Sequence, residues 1–319
     1  MDLCPTLAAV AVGERALLAQ APLSNDLRDL AWLALSGPGS VLVGATEPRW
    51  ARLPLLACAS AAGSPEAAIP LAVLVEVKTA AFSLLDDLED GDPTVLASQV
   101  NGATALNVAT ALLLLAQQAH ARVAAPVAAV MTASWLAACA GQHRDLTLNR
   151  HGPDPLGAAI QAAEGKTAGI SAAALEAGAL LGGADTALAV CYRRFGQAVG
   201  MAGQFANDLA GCRPGQAGMT DLRRGRPTLP VLFALGSDST PAVRACLTAA
   251  QDGDIVTDTL HAQALEEVQA CGALHYVWAL LRQARADATS LLADIARRRP
   301  VAGTLDRLLT ASAPGAIAP

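Results

Sequence analysis

The sequence predicts an all-α protein, and three observations carry the prediction. Alanine and leucine dominate a chain that is 53% hydrophobic, with aromatics at only 3% and few runs of β-branched residues. Ala and Leu are strong helix formers, whereas strands favour Val, Ile, Thr and aromatic residues. Apolar residues recur at helical spacing almost throughout, interrupted only by short Gly/Pro/Ser segments. The chain has 319 residues, no evident internal repeat and no shift in composition. One helical domain over 1–319 is therefore expected, with about ten or more helices.

The breaks, in order, are "SGPGS" (36–40), "GSPEAA" (63–68), "GDPT" (91–94), "HGPDP" (151–155) and "CRPGQAG" (212–218). Each suits a helix–helix connection. The first is no phosphate loop, because no strand precedes it and no Lys-Ser/Thr pair follows. A helix is expected to begin near Pro70 and run into the acidic stretch at 86–90. The apolar segment "AAPVAAVMTASWLAACAG" (124–141) is rich in alanine and small polar residues, and is expected to be a buried core helix rather than a membrane span. Arg297–Arg299, followed by Pro300, read as a helix C-terminus, with cations on the dipole and a proline stop. The last residues, "TASAPGAIAP", are expected to fray.

A net charge of −6 argues against a general nucleic-acid binder. Seven cysteines (4, 58, 139, 191, 212, 246, 271) form no C-x-x-C pair, which fits buried thiols in a reducing cytoplasm and neither a disulfide framework nor a zinc site. The first residues have no cationic region ahead of their apolar run, so no signal peptide is expected. The five histidines show no metal-ligand spacing and receive no role.

Charge is concentrated where it is costly. "DDLEDGD" places five carboxylates in the seven positions 86–92 of a chain only 16% charged. On a helix Asp86 and Asp90 share a face, with Asp87 one step round. Like charges at that spacing repel, and anions at a helix C-terminus oppose the dipole. A divalent cation removes both penalties, and oxygen-only ligands point to Mg²⁺. A second segment, "GQFANDLAG" (203–211), again sets oxygen ligands on one helical face: Gln204 and Asp208, with Asn207 adjacent. Cations follow at Arg223, Arg224 and Arg226, and Lys166-Thr167 carry one of only two lysines in the chain. Two oxygen-rich faces and a ring of cations describe a site for a metal-bridged diphosphate inside an otherwise apolar protein.

These segments resemble the trans-isoprenyl diphosphate synthases of the class I terpenoid fold. Asp86-Asp87-Leu88-Glu89-Asp90 is similar to that family's first D-D-x-x-D motif. "GQFANDLAG" stands where its second, Q-x-x-D-D-x-x-D, belongs, and "DLRRGRPTLP" resembles the D-x-x-x-G-K-x-T-L-P that follows, with Arg226 at the lysine. "GQHRDL" and "GKTA" also match, in the right order, and the likeness covers roughly residues 20–310. The resemblance implies an all-α bundle around a deep apolar cavity, three Mg²⁺ ions and a homodimer. It implies that Asp86, Asp87, Asp90, Asn207 and Asp208 hold metal, with Gln204 orienting them. Lys166, Arg226 and Arg223 would clamp the leaving diphosphate, with Thr167 beside them. Phe82, one turn before Asp86 where the family sets chain length, would floor the pocket or face a carbocation. Trp135, Tyr192 and Phe205 are further aromatic candidates.

The sequence departs from the family at the pocket for the second substrate, isopentenyl diphosphate. Arg49 and Arg52 keep the K-x-x-R spacing, but one extra residue precedes Pro54. Thr79 stands at the usual His, and the R-R-G after the first motif is missing. These losses remove about 4–6 kcal/mol of contacts, at about 1.5–3 for each hydrogen bond to a charged group. In the second motif Asn207 replaces the first Asp and Gly211 the third. The leading expectation is thus a class I terpene synthase that ionises an allylic prenyl diphosphate and cyclises or quenches the cation. The alternative is a chain-elongating prenyl diphosphate synthase, with Arg49, Arg52 and Lys78 forming the second pocket. A non-catalytic partner subunit is the third.

Overall fold

A computed structural model describes residues 2–37, 39–45, 48–91, 96, 98–212, 221–299 and 305–311. Among them the regular structure is helical, without strands. In chain order the helices are α1 (Cys4–Gln20), α2 (Asn25–Leu35), α3 (Arg52–Ser60), α4 (Ile69–Glu89), α5 (Gly102–His120), α6 (Ala125–Leu146) and α7 (Pro155–Ala163). There follow α8 (Gly169–Leu181), α9 (Thr186–Gly211), α10 (Leu229–Leu235), α11 (Pro241–Asp252), α12 (Asp258–Ala270), α13 (Ala273–Arg298) and α14 (Asp306–Ala311). The expected breaks at 92–94 and 213–218, Pro300, and the tail from 312 lie outside the described residues.

Local chemistry sets the helix starts. Ser24, Asn101, Asp154 and Thr257 each accept a hydrogen bond from a backbone N–H three residues on, capping α2, α5, α7 and α12. Proline occupies the first turn of α1, α4, α10 and α11, where its missing N–H costs nothing. Arg297 and Arg298 lie in the last turn of α13, as their charge predicts.

The chain divides into two compact units built from interleaved segments. The first comprises Met1–Trp135, Ser171–Gly196 and Leu291–Asp306; the second comprises Leu136–Ile170, Gln197–Ser290 and Arg307–Pro319. The composition, uniform along the chain, carries no sign of this division.

In the first unit α4 packs on α5 and also meets α1, α2 and α3. Leu71, Leu74, Val75 and Val77 of α4 are buried. Gly178 on α8 lets its backbone press against α3. A Cβ at Gly178 would lie 2.4 Å from Pro54 O and 2.7 Å from its Cα. Helix propensity alone favours alanine over glycine by about 1 kcal/mol. Overpacking against fixed backbone costs about 1–3 kcal/mol and wins. Gly178→Ala is therefore expected to lower the urea midpoint, and a raised midpoint would show that α8 moves aside freely. Buried Tyr192 seals the same unit through a 2.9 Å hydrogen bond with Ser60.

The second unit is centred on Leu222, Leu229, Val231, Leu247, Val268 and Val277. Here α11 packs on α12, and α10 meets α7, α11 and α12. Glu267 of α12 caps α11, accepting from the N–H groups of Ala242 and Val243 at 3.1 and 3.0 Å.

One expectation is corrected. The segment 124–141 falls within α6, but the helix is buried on one face only: Met131, Trp135 and Ala138 point inward, while Leu136 is 66% exposed. Among the described residues, the stretches long and apolar enough to cross a bilayer are instead Pro65–Glu89, whose most apolar window is 61% buried within the protein, and Gly102–His120, 39% buried.

Candidate functional site

In the first unit the acidic motif lies where the pattern places it. Asp86 and Asp87 are in the last turn of α4 and Asp90 is its C-cap, all three half-buried. Asp90 N–H closes the helix onto Asp86 O at 2.9 Å. The helix dipole opposes anions here, so the structure keeps a charge arrangement that costs stability. Phe82 is half-buried one turn earlier. Its ring centroid is 5.0 Å from that of buried Trp135, and the Lys78 ammonium sits 5.9 Å above its face. Tyr192, tied to Ser60, is a core residue of this unit.

The residues expected to serve a second diphosphate also lie in this unit. Arg49 is exposed, with its guanidinium stacked 4.8 Å over Trp50. The turn that carries it is tied to α4 through Glu76, which accepts from Ala51 N–H at 2.6 Å and from Trp50 N–H. Glu76 is 9% exposed, and burial raises its pKa to about 7 against these two hydrogen bonds. Nearby Glu14 of α1 is 1% exposed, and neither carboxyl oxygen has a hydrogen-bond partner. Burial first, then the charge of Glu76, lifts its pKa to about 9, with Arg15 pulling the other way. Thr79 offers no substitute for the family's histidine: it is buried, and its hydroxyl donates to Val75 O at 2.6 Å.

The second unit gathers the other half of the motif residues. Glu164–Ala168 form a single π-helical turn between α7 and α8, a feature common at functional positions. It carries Lys166, whose Nζ is 3.1 Å from Asp145 Oδ2 of α6. Gly141 and Gly165 permit this approach, since a Cβ at Gly141 would lie 2.6 Å from Lys166 N. A polar relay follows: Thr167 Oγ1 donates to Gln204 Oε1 at 3.3 Å, and Gln204 Nε2 donates to Asp208 Oδ1 at 2.8 Å. Gln204 thus touches Asp208, as their four-residue spacing predicts. Asp208 is 6% exposed. Burial above all raises its pKa to about 7, with the charges of Asp221 and Asp145 adding to it and hydrogen bonds from Gln204 and Leu229 N–H opposing. Asn207, the next residue round, is exposed.

Two expected participants are placed differently. Arg223 donates to Val256 O at 3.0 Å and to Asp258 Oδ1 at 2.5 Å, so its guanidinium holds the start of α12. Phe205 belongs to the core of the unit. Arg226 is half-buried beside them, its N–H donating to Asp221 O at 2.8 Å. The sequence reading gave no role to Asp145, Glu14, Glu76 or Asp221. Asp145 had a signal, lying inside the quoted "GQHRDL".

The donor set suits a hard divalent cation. Both acidic segments offer oxygen alone, and buried Asp208 bears an electrostatic cost that a cation would relieve. Among the described residues no three of His, Cys, Asp and Glu converge to hold an ion by themselves. One or two carboxylates, with phosphate oxygens and water, make up the usual shell of a cation such as Mg²⁺.

Comparison with known proteins decides the family. Residues 49–267 match the profile of the Polyprenyl synthetase family. The chain is a member of that family. Among its polyprenyl synthetase relatives is a geranylgeranyl diphosphate synthase of Mycobacterium tuberculosis, 32% identical over 244 residues, covering 70% of this chain and 68% of that one. A farnesyl diphosphate synthase of Mycobacterium bovis is 33% identical over 201 residues, covering 57% of this chain and 55% of that one. In fold, the chain matches a polyprenyl synthase from Caulobacter crescentus complexed with calcium and isoprenyl diphosphate. The TM-score is 0.79 at 22% identity, over 98% of this chain and 96% of that one. A geranylgeranyl pyrophosphate synthase from Corynebacterium glutamicum matches with a TM-score of 0.76 at 24% identity, over 98% and 96%. The all-α expectation for this polyprenyl synthetase thus holds.

Proposed function

We propose that the protein is a Mg²⁺-dependent trans-prenyl diphosphate synthase that ionises an allylic prenyl diphosphate and joins the cation to isopentenyl diphosphate. What carries this reading is the 32% identical relative named as a geranylgeranyl diphosphate synthase, together with the acidic ends of α4 and α9. Bound Mg²⁺, three ions by family resemblance, would draw charge from the leaving diphosphate. Asp86, Asp87 and Asp90 would hold metal in the first unit, and Asn207 and Asp208 in the second. Gln204 keeps Asp208 oriented through its 2.8 Å hydrogen bond. Lys166 and Arg226 meet the departing negative charge, and Asp145 holds the Lys166 ammonium until substrate arrives. Arg49 and Arg52 are the cations left for the second diphosphate. A homodimer belongs to this reading, supported by Leu106 and Leu114, 52% and 65% exposed on α5. Of the thiols expected to be buried only Cys58, Cys212 and Cys246 are, while Cys4 and Cys139 are exposed; none of the seven is in a disulfide, which supports a reducing, cytoplasmic setting.

One observation favours the second reading, a class I terpene synthase acting on the allylic substrate alone. Thr79, at the family's histidine, spends its hydroxyl on the α4 backbone. A product assay with Mg²⁺ and geranyl, farnesyl or geranylgeranyl diphosphate, each with and without isopentenyl diphosphate, separates the two. Longer diphosphates formed only with isopentenyl diphosphate are the expected result. Hydrocarbons or alcohols from one allylic substrate alone would replace the first reading by the second.

A further inference from the structure

The first unit buries two carboxyl groups that the proposed chemistry leaves unused. Glu14 of α1 is 1% exposed and neither of its oxygens has a hydrogen-bond partner, although an apolar side chain would fill the same place at less cost. Glu76 of α4 lies close enough for its charge to act on Glu14. Its own carboxylate is engaged, accepting from Ala51 N–H at 2.6 Å and from Trp50 N–H. Those two N–H groups stand immediately ahead of α3, whose start has no side-chain cap of its own. Glu76 therefore caps α3 from another helix, where an anion also suits the helix dipole. The two donors lie between Arg49 and Arg52, the cations assigned above to the second diphosphate.

We propose that Glu76 is a positioning residue for the second diphosphate, fixing Arg49 and Arg52 through the turn between them, and that Glu14 makes this hold dependent on pH. Glu76 grips the turn best as an anion, because hydrogen bonds to a charged acceptor are the stronger kind. A protonated Glu14 leaves that single charge undisturbed. Once Glu14 ionises, two anions share one buried space, and loosening the turn relieves them. The change falls near pH 9, to which burial and Glu76 raise Glu14. Other charged groups on the surrounding elements do not take over this control. Arg15 of α1 is exposed, with its guanidinium 5.7 Å over Trp32, and it lowers the Glu14 pKa by less than burial and Glu76 raise it. On α2, Asp26 and Asp29 are exposed, and Arg28 donates to the carbonyls of Leu18, Ala21 and Leu23. Glu66, ahead of α4, is exposed and accepts from Ser64, and α5 carries only His120, held by Ala128 O and Thr132. On α4 itself Lys78 lies over Phe82.

Isothermal titration of isopentenyl diphosphate into the full-length protein, in EDTA, reads this pocket without metal or turnover, apart from the prenyl-transfer reading on which the proposal rests. Wild-type affinity is expected to fall about tenfold between pH 8 and 10, as loss of one proton near pH 9 requires. Glu14→Gln is expected to hold its affinity over the same range; the ligand's own ionisation is common to both proteins. At pH 8 Glu76→Leu is expected to bind about tenfold or more weakly, and Glu76→Gln, which keeps an acceptor, to recover most of the loss. Mg²⁺-dependent binding of farnesyl diphosphate should stay level in all three variants. Parallel pH profiles in the wild type and Glu14→Gln overturn the proposal, and this arm decides it should Glu76→Leu fail to fold in a thermal melt. Unchanged affinity in folded Glu76→Leu also overturns it, as does equal loss of both ligands, which would make Glu76 a structural residue only. In each of these cases a wild type that lengthens its allylic substrate leaves the prenyl-transfer reading standing. A wild type that binds no isopentenyl diphosphate at any pH overturns both.

Discussion

Replacing Asp86 and Asp87 together by alanine is expected to lower turnover about 10³-fold or more while leaving the protein folded. The size follows from the role. Removing one preorganised group that stabilises charge in a transition state costs about 10²–10³ in rate, and here two carboxylates that hold the metal are lost. Stability should move the other way or stay level. Asp86 and Asp87 crowd the C-terminal turn of α4, where each anion opposes the helix dipole by about 0.3–1 kcal/mol and Asp86 also faces Asp90. Mg²⁺-dependent release of diphosphate from an allylic substrate, beside a thermal melt of the same sample, measures both quantities. Turnover that survives the substitution would remove the metal site from α4. A residue set that is costly for the fold and indispensable for the reaction is the pattern expected of a functional position rather than a solvated loop entrance.

The second large effect concerns stability and pH. Glu14 is raised to about 9 by burial, with the charge of Glu76 adding to it. In the unfolded chain the carboxyl ionises near its ordinary value of 4.5. Between those two values the native state holds a proton that the unfolded state has already released. Stability is therefore complete below pH 4.5 and falls as pH rises towards and through about 9. The slope for one such group is about 1.4 kcal/mol per pH unit. Glu76, raised to about 7, contributes a similar fall over the lower part of the range only. Glu14→Gln keeps the shape and removes one titration, so urea midpoints of the variant should fall less steeply above pH 7 and exceed those of the wild type at pH 8. Parallel slopes in the two proteins would mean that Glu14 is charged in the folded state and has found a partner.

Strong periodic segments and punctuation were the most legible parts of the sequence. The helix expected from near Pro70 is α4, starting at Ile69 and ending at Glu89, because a proline start and an apolar run leave few alternatives. Gln204 and Asp208 touch as their four-residue spacing requires. The segment at 124–141 misled because alanine serves both surfaces: with small residues on every side, periodicity loses the contrast that tells the inner face from the outer. Arg223 misled for a different reason. A cation beside an acidic motif is equally suited to a phosphate or to the start of a helix, and only the fold shows that Asp258 and Val256 claim it. Glu14 lies in an apolar helix where a single carboxylate has no motif around it. Its meaning comes from Glu76, which is distant in sequence.

The interleaving of the two units has a consequence for how the protein is made. The first unit needs Ser171–Gly196 and Leu291–Asp306 as well as its N-terminal 135 residues. On a ribosome adding about 5–20 residues per second, α4 and α5 wait many seconds before those later segments emerge. During that interval the two most bilayer-like helices among the described residues are covered chiefly by each other, α1, α2 and α3. A nascent chain in that state is a natural client for a chaperone that shields apolar helices. A truncation near residue 290 would do its damage in the half of the protein made first.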